Sequence, residues 1–195
     1  NSFESSQRFA LGAQNVSEHF EFGPYTGQIN SRMLFDLGCK YSIVGHSECR
    51  NENSESDLSI PKKACSLLKS SVIPIICIGE SMLHRIDGTY MNEILDQLQG
   101  SIQLLNAESV SNVIIAYEPL WSIGSGNIPN DINEVATVIK NNYTGIKFLY
   151  GGSVNSTNIE MLSDINSIDG VLVGNASLDA CEFTKIIRVF SGTVK

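Results

Sequence analysis

AYEPLWSIGSG, residues 116–126, continues a short apolar run from Val113 to Ala116, of the kind that suits a strand buried on both faces. Glu118 stands where that run ends, and Pro119 stops the strand because it has no N–H to give a sheet ladder. Beyond it come Trp121 and Ile123, bulky enough to close over a site, and Gly124 and Gly126, free to take unusual dihedrals. A carboxylate at a strand end beneath a hinged loop is an arrangement for moving a proton away from water. The plain alternative is that Glu118 caps the next helix and the loop is an ordinary connection.

Two further segments have the same form. In YSIVGHSE, residues 41–48, an apolar strand passes through Gly45 to His46 and Ser47, with Glu48 just beyond. A single His after a strand is more often structural than catalytic, so His46 alone decides little. In FLYGGS (148–153) and GVLVGNAS (170–177), apolar strands run directly into small residues: Gly151, Gly152 and Ser153, then Gly174 and Asn175. Such loops expose backbone N–H groups that can cradle a phosphate, helped by a following helix N-terminus. A bare Gly-Gly also serves plain turns; two such loops after consecutive strands say more.

Apolar runs recur near 9–14, 41–45, 73–78, 112–117, 146–150 and 170–174. Between and after them, 31–37, 56–68, 90–105, 133–141, 158–162 and 180–190 read as helices, with Leu95, Leu98, Ile102 and Leu105 marking one buried face of the third. Pro61 leaves the start of the second helix open. Strict strand–helix alternation predicts a parallel sheet with helices outside it. His46, Glu118 and the two glycine loops all follow the C-terminal ends of strands, the face on which a (β/α)8 barrel builds its sites. No G-x-G-x-x-G follows the first strand, which speaks against a dinucleotide fold. The expected architecture is an α/β (β/α)8 TIM barrel, taken as one domain over residues 1–195.

Only six strand–helix units are legible, where such a barrel has eight and typically about 250 residues. A free-standing arc of six would leave two long unpaired edges. The chain also opens NSFESSQRF, without Met. The expectation is therefore that N-terminal sequence is absent from these residues or supplied by another chain.

Composition sets broader limits. With 42% hydrophobic and 17% charged residues, the 195-residue chain has ample material for a core, and no low-complexity linker divides it. A net charge of −8 argues against nucleic acid or an anionic membrane surface as partner. A phosphorylated substrate would have to be drawn in locally, by N–H groups and a placed cation. Five cysteines without C-x-x-C spacing read as reduced cytosolic thiols, and no run is long enough to span a bilayer.

AQN (13–15), YTG (25–27), GHSE (45–48), ICIGES (76–81), AYEPLWSIGSG (116–126), YGGSV (150–154) and DGVLVGNASL (169–178) together resemble the triosephosphate isomerase family, in its order and at about its spacings. The resemblance runs from about Phe9 to about Phe190 and makes the absent units the first two. It implies a cytoplasmic homodimer, free of cofactor and metal, that interconverts dihydroxyacetone phosphate and glyceraldehyde 3-phosphate in glycolysis and gluconeogenesis through an enediolate. It implies Glu118 as base and His46 as electrophile. That family is itself the standard worked case of a His kept neutral by a helix N-terminus. Ser47, Glu48 and Tyr150 take supporting positions. Gly124, Ser153, Gly174 and Asn175 take phosphate-binding ones, with Asn175 where many members have a second glycine. Thr26 falls on the family's projecting loop, expected to touch the neighbouring subunit. Gln28 and Cys49 replace a Glu and an Arg that commonly pair near that contact. Two other readings remain at this stage: a non-catalytic fragment or structural relative of the fold, and a barrel acting on another sugar phosphate.

The family's Lys, at an Asn-x-Lys ending its first strand, has no counterpart here. Lys40 precedes a strand, and Lys62, Lys63 and Lys69 fall on a helix. Removing one preorganised donor commonly costs about 10²–10³ in rate, and losing a phosphate-binding cation should cost more. The 195 residues made alone should therefore aggregate or bind hydrophobic dyes and show essentially no isomerase turnover. Adding two strand–helix units that carry Asn-x-Lys should restore both solubility and activity; a soluble, fully active 195-residue product would overturn the strand count and the role of the cation.

Overall fold

The structure is a computed structural model that describes residues 9–192; the opening NSFESSQR lies outside the described residues. In chain order the elements are β1 (Gly12–Ala13), α1 (Ser31–Asp36), β2 (Tyr41–Val44), α2 (Ser47–Glu52), α3 (Ser59–Lys69), β3 (Ile73–Ile78), α4 (Met82–Ile86), α5 (Tyr90–Ile102), α6 (Ala107–Val110), β4 (Ile114–Tyr117), α7 (Ile132–Asn142), β5 (Lys147–Tyr150), α8 (Ile159–Ser163), β6 (Gly170–Val171), a 3-10 turn (Asn175–Leu178) and α9 (Ala180–Phe190). Strand–helix alternation is as the apolar runs require. By packing, the chain forms two compact units, one of residues up to Cys77 with Gln97–Ile114, the other of Ile78–Asp96 with residues from Ile115 onward.

In the first unit β1 pairs with β2 and β2 with β3, all parallel, with Tyr41 opposite both Gly12 and Ile73. Its core is built from Val44, Ile60, Ala64, Leu67, Val72 and Ile76. α3 starts at Ser59 rather than 56, and Pro61 sits in its first turn, where an N–H would have no intrahelical partner anyway. The apolar pattern marks no helix at 47–52, though the chain just after Ser47 is where the resemblance expects a helix start, and α2 begins there. A six-residue helix carries too little periodic pattern to be seen.

In the second unit β5 and β6 are parallel, Tyr150 opposite Val171, and Gly151 N–H donates to Tyr117 O at 2.8 Å beyond β4. Ile115, Ala116 and Tyr117 are wholly buried, which is why their run shows no alternation. The buried positions of α5 are Ile94, Leu98, Ser101 and Ile102; Leu95 is half-buried and Leu105 lies past the helix end, so the expected face keeps Leu98 and Ile102 and has Ile94 in place of Leu95.

The outer strands are shorter than their apolar runs. β1 covers two residues of 9–14 and β6 two of 170–174. Each is paired on one side among the described residues, so fewer ladder bonds define it, and Phe9 and Leu11 stand exposed at 63% and 56%.

Helix starts follow local chemistry. Asn30, Ser81, Asn106 and Asp179 accept N–H bonds from the first turns of α1, α4, α6 and α9. Asp131, at the corresponding place before α7, makes no such bond.

Candidate active site

β4 delivers Glu118 at its C-terminal end. The residue is 2% exposed, and its N–H donates to Ile78 O at 2.7 Å. It does not cap a helix, since the next one begins at Ile132 with Asp131 before it. Two glycines fit around it. A Cβ at Gly79 would lie 1.9 Å from Glu118 O, and one at Gly151 would lie 2.8 Å from Glu118 Cγ and 3.4 Å from Oε1. Neither place admits a side chain without moving the carboxylate or its backbone. The glycine of the 148–153 motif therefore seats Glu118, beyond the phosphate role read for its loop.

The loop after Pro119 is tied down at several points. Ser122 is wholly buried, and its hydroxyl donates to Asn127 O at 2.6 Å. That leaves Tyr150 O–H as the donor in the 2.9 Å bond between Tyr150 and Ser122. Burial pushes the Tyr150 phenol up, in keeping with a donor role. Ser153 Oγ accepts from Gly126 N–H at 3.0 Å and donates to Ser122 O at 2.9 Å, while Ser153 N–H reaches Ser122 Oγ at 3.3 Å. Gly124 and Gly126 have φ of +67° and +80°, the left-handed region the sequence reading anticipated for hinge glycines. Ser153 and Tyr150 are thus brought onto the 119–130 loop. Gly174 and Asn175 follow the neighbouring strand β6: Gly174 precedes the 3-10 turn and its carbonyl accepts from both Ser177 N–H and Oγ, while Asn175 opens the turn and is exposed.

A cluster the sequence reading did not assign holds the start of this loop. Glu80 is wholly buried, and its Oε1 accepts from Arg85 Nε at 2.5 Å, Trp121 Nε1 at 2.9 Å and Tyr117 O–H at 3.3 Å. Arg85 also donates through Nη2 to Tyr117 OH at 2.5 Å and pairs through Nη1 with Asp131. Its guanidinium stacks over Tyr90 at 4.0 Å and Trp121 at 5.4 Å. Burial, reinforced by Glu80, pushes the Tyr117 phenol far up, so it remains an O–H donor. The sequence signals were Glu80 within ICIGES and Tyr117 and Trp121 within AYEPLWSIGSG; nothing in the spacing pointed to Arg85 or Asp131.

In the first unit, His46 is the residue before α2. Its Nδ1 accepts from Glu48 N–H at 3.3 Å, which leaves the hydrogen of a neutral ring on Nε2. Ser47 is buried, and the Glu48 side chain is 81% exposed with its carboxylate 4.0 Å from His46 Nδ1. Gly45, at φ +70°, is gripped on both sides: its N–H donates to Glu55 Oε1 at 3.2 Å and its carbonyl accepts from Arg50 Nε at 2.7 Å. Glu55 is paired with Lys63 at 3.0 Å, and Lys63 donates to Asn15 at 2.9 Å. Lys62 is paired with Glu18, and Lys69, the third lysine of α3, lies over the Phe20 ring at 5.6 Å. Gln28 accepts from Ser17 at 2.5 Å, and Cys49 Sγ accepts from Asn15 at 3.4 Å; each has a neutral partner. Burial, then Glu55, pushes the Cys49 thiol up and keeps it protonated. Thr26 is exposed on the 16–29 loop, where His19 stacks on Tyr25 at 3.6 Å.

Functional groups at the ends of parallel strands on a strand–helix alternation define a barrel-type α/β framework, and comparison with known proteins gives the family. A sequence profile described as Triosephosphate isomerase matches residues 1–190. Triosephosphate isomerases of Mycolicibacterium vanbaalenii and Mycobacterium avium are 39% and 40% identical over 196 residues, covering 95% of this chain and 75% of theirs. That of Saccharopolyspora erythraea is 40% identical over 93% of this chain and 73% of its own. A crystal structure of the Bartonella henselae triosephosphate isomerase superposes with a TM-score of 0.82 at 34% identity, over 93% of this chain and 76% of that one. The chain belongs to the triosephosphate isomerase family, and its described residues carry six of the eight strand–helix units of a (β/α)8 barrel. No helix among the described residues is long and apolar enough to cross a membrane.

The packing of Gly151 on Glu118 can be tested directly. Gly151→Ala should lower stability by about 1–3 kcal/mol, the usual cost of overpacking, and a crystal structure should show the Glu118 side chain displaced. A variant with unchanged denaturation midpoint and unmoved Glu118 would show the 2.8 Å approach to be of no consequence.

Proposed function

We propose that the protein interconverts dihydroxyacetone phosphate and glyceraldehyde 3-phosphate through an enediolate, as a cytoplasmic enzyme of glycolysis and gluconeogenesis. The observation that carries this is the buried Glu118 at the end of β4, beside a loop fastened through Ser122, Gly126 and Ser153. Glu118 removes a proton from one carbon of the substrate and returns it to the next. A carboxylate kept from water is a stronger base than a solvated one. His46 donates from Nε2–H to the substrate oxygens and stabilises the charge that develops there; its Nδ1, accepting from Glu48 N–H, supports that tautomer. Gly124, Ser153, Gly174 and Asn175 receive the phosphate. For Ser153 this requires its present bonds to the loop to be shared or exchanged as substrate enters. The loop closes over the enediolate and prevents loss of its phosphate. A cation at the phosphate, expected from an Asn-x-Lys strand end, completes the set.

Glu118→Gln in the full-length protein keeps the shape and removes the base. Its kcat should fall by about 10²–10⁴, the usual weight of general acid–base catalysis, with little change in affinity for a phosphorylated inhibitor. Near-normal turnover would remove Glu118 from the mechanism.

The same reading makes the protein a homodimer, with Thr26 on a loop that enters the neighbouring subunit. Its support is an exposed but ordered loop and a polar cleft of about 630 Å³ in the first unit, lined in part by Asn15, Ser17, Gln28, Glu55 and Lys63. Because Gln28 and Cys49 carry no charge, dissociation should depend only weakly on salt at that contact. Sedimentation should give a dimer; a stable, fully active monomer would contradict the assignment.

A further inference from the structure

Asp131 stands where a capping residue belongs and does not cap. Asp is among the best residues for accepting an N–H from the first turn of a helix, yet before α7 this carboxylate forms no such bond. It is turned instead to Arg85 Nη1, with the Tyr90 hydroxyl beside it as a further hydrogen-bond partner. Charge balance does not demand this. Arg85 is already neutralised by Glu80, whose side chain is 0% exposed, so Asp131 adds a second carboxylate to a pocket that needed one. A local rule is broken and a surplus charge is partly buried at the same residue, which calls for a compensating role.

The position of Asp131 supplies one. The loop from Pro119 to Asn130 starts at Trp121, whose indole donates to Glu80 and lies 5.4 Å from the Arg85 guanidinium. It ends at Asp131, on the same guanidinium. One side chain on α4, 15% exposed, therefore holds both ends of the loop.

We propose that Asp131 is a positioning residue that latches the C-terminal end of the lid to Arg85, so that both hinges are set by one buried cation and the lid moves as a single body. This rests on reading 119–130 as a lid over an isomerase site. Weakening the latch lets the far end of the loop open alone and frees Gly126 from Ser153, which admits water to the site.

The test uses Asp131→Asn and Asp131→Ser in the full-length protein. Both residues cap helices well and neither strands a charge, because Arg85 keeps Glu80. The melting temperature should hold or rise. The amides of Gly126 and Asn127 should exchange with solvent about 10-fold faster, as expected for a loop whose local opening has become easier. The share of turnovers that release free inorganic phosphate instead of isomerised triose should rise several-fold. Wild-type exchange rates in folded variants overturn the latch, as does loss of melting temperature with an unchanged lid. Failure of both variants to fold also overturns it, since Asp131 would then hold the domain and not the loop. If the wild-type protein isomerises no triose phosphate, the functional reading falls while amide exchange still decides the latch.

Discussion

The strand-end chemistry of the second unit depends on one buried charge, the Glu80 carboxylate, and on the guanidinium that makes it tolerable. An ionised group of this size taken from water costs several kcal/mol, and breaking such a pair by removing one partner costs about 3–5 kcal/mol. Arg85 meets the demand with a fork of donors on three different groups: Glu80, Tyr117 and Asp131. The cation is thereby fixed by Glu80, by Tyr117 of β4 and by the residue before α7, and Trp121 joins the following loop to it through Glu80.

A second constraint is the absence of side chains around Glu118. Gly79 packs against the Glu118 carbonyl and Gly151 against its side chain, and a Cβ at either place would overlap it. Glu118 is thus set by backbone at Gly79 and Gly151, and the loop after Pro119 is attached separately. The hydroxyls of Ser122, Tyr150 and Ser153 connect the two, since they join loop to strand end by bonds that can be remade.

In the first unit, the same problem is solved differently. Gly45 has no side chain to be held by, and a Cβ there would come within 3.0 Å of Ile60 and 3.1 Å of Arg50. Its two peptide groups are held instead by Glu55 and Arg50, and His46 follows directly as the residue that caps α2. The Glu55–Lys63 pair that supports this is nearly buried, at 3% and 11% side-chain exposure, so its cost is offset by the contacts it fixes with Asn15 and the Gly45 N–H.

The sequence by itself determined the six strands, a main helix after each and the residues at the strand ends, though not the short α4 and α6, because burial on both faces writes an unbroken apolar run and chemistry collects where such runs stop. It determined Glu118, His46 and Ser153 as candidates in the same way, and their motifs carried the family. Only the tertiary structure decided the rest. The shortness of β1 and β6 depends on how many neighbours a strand has, which no run of residues records. The hub at Arg85 joins residues 80, 85, 117, 121 and 131, and its bonds form between side chains whose spacing follows no helical or strand period. Asp131 is the sharpest case: read locally it is a helix cap, and the pull of a distant guanidinium overrides that propensity, because a partly buried bond charged on both sides outweighs one in which only the carboxylate is charged.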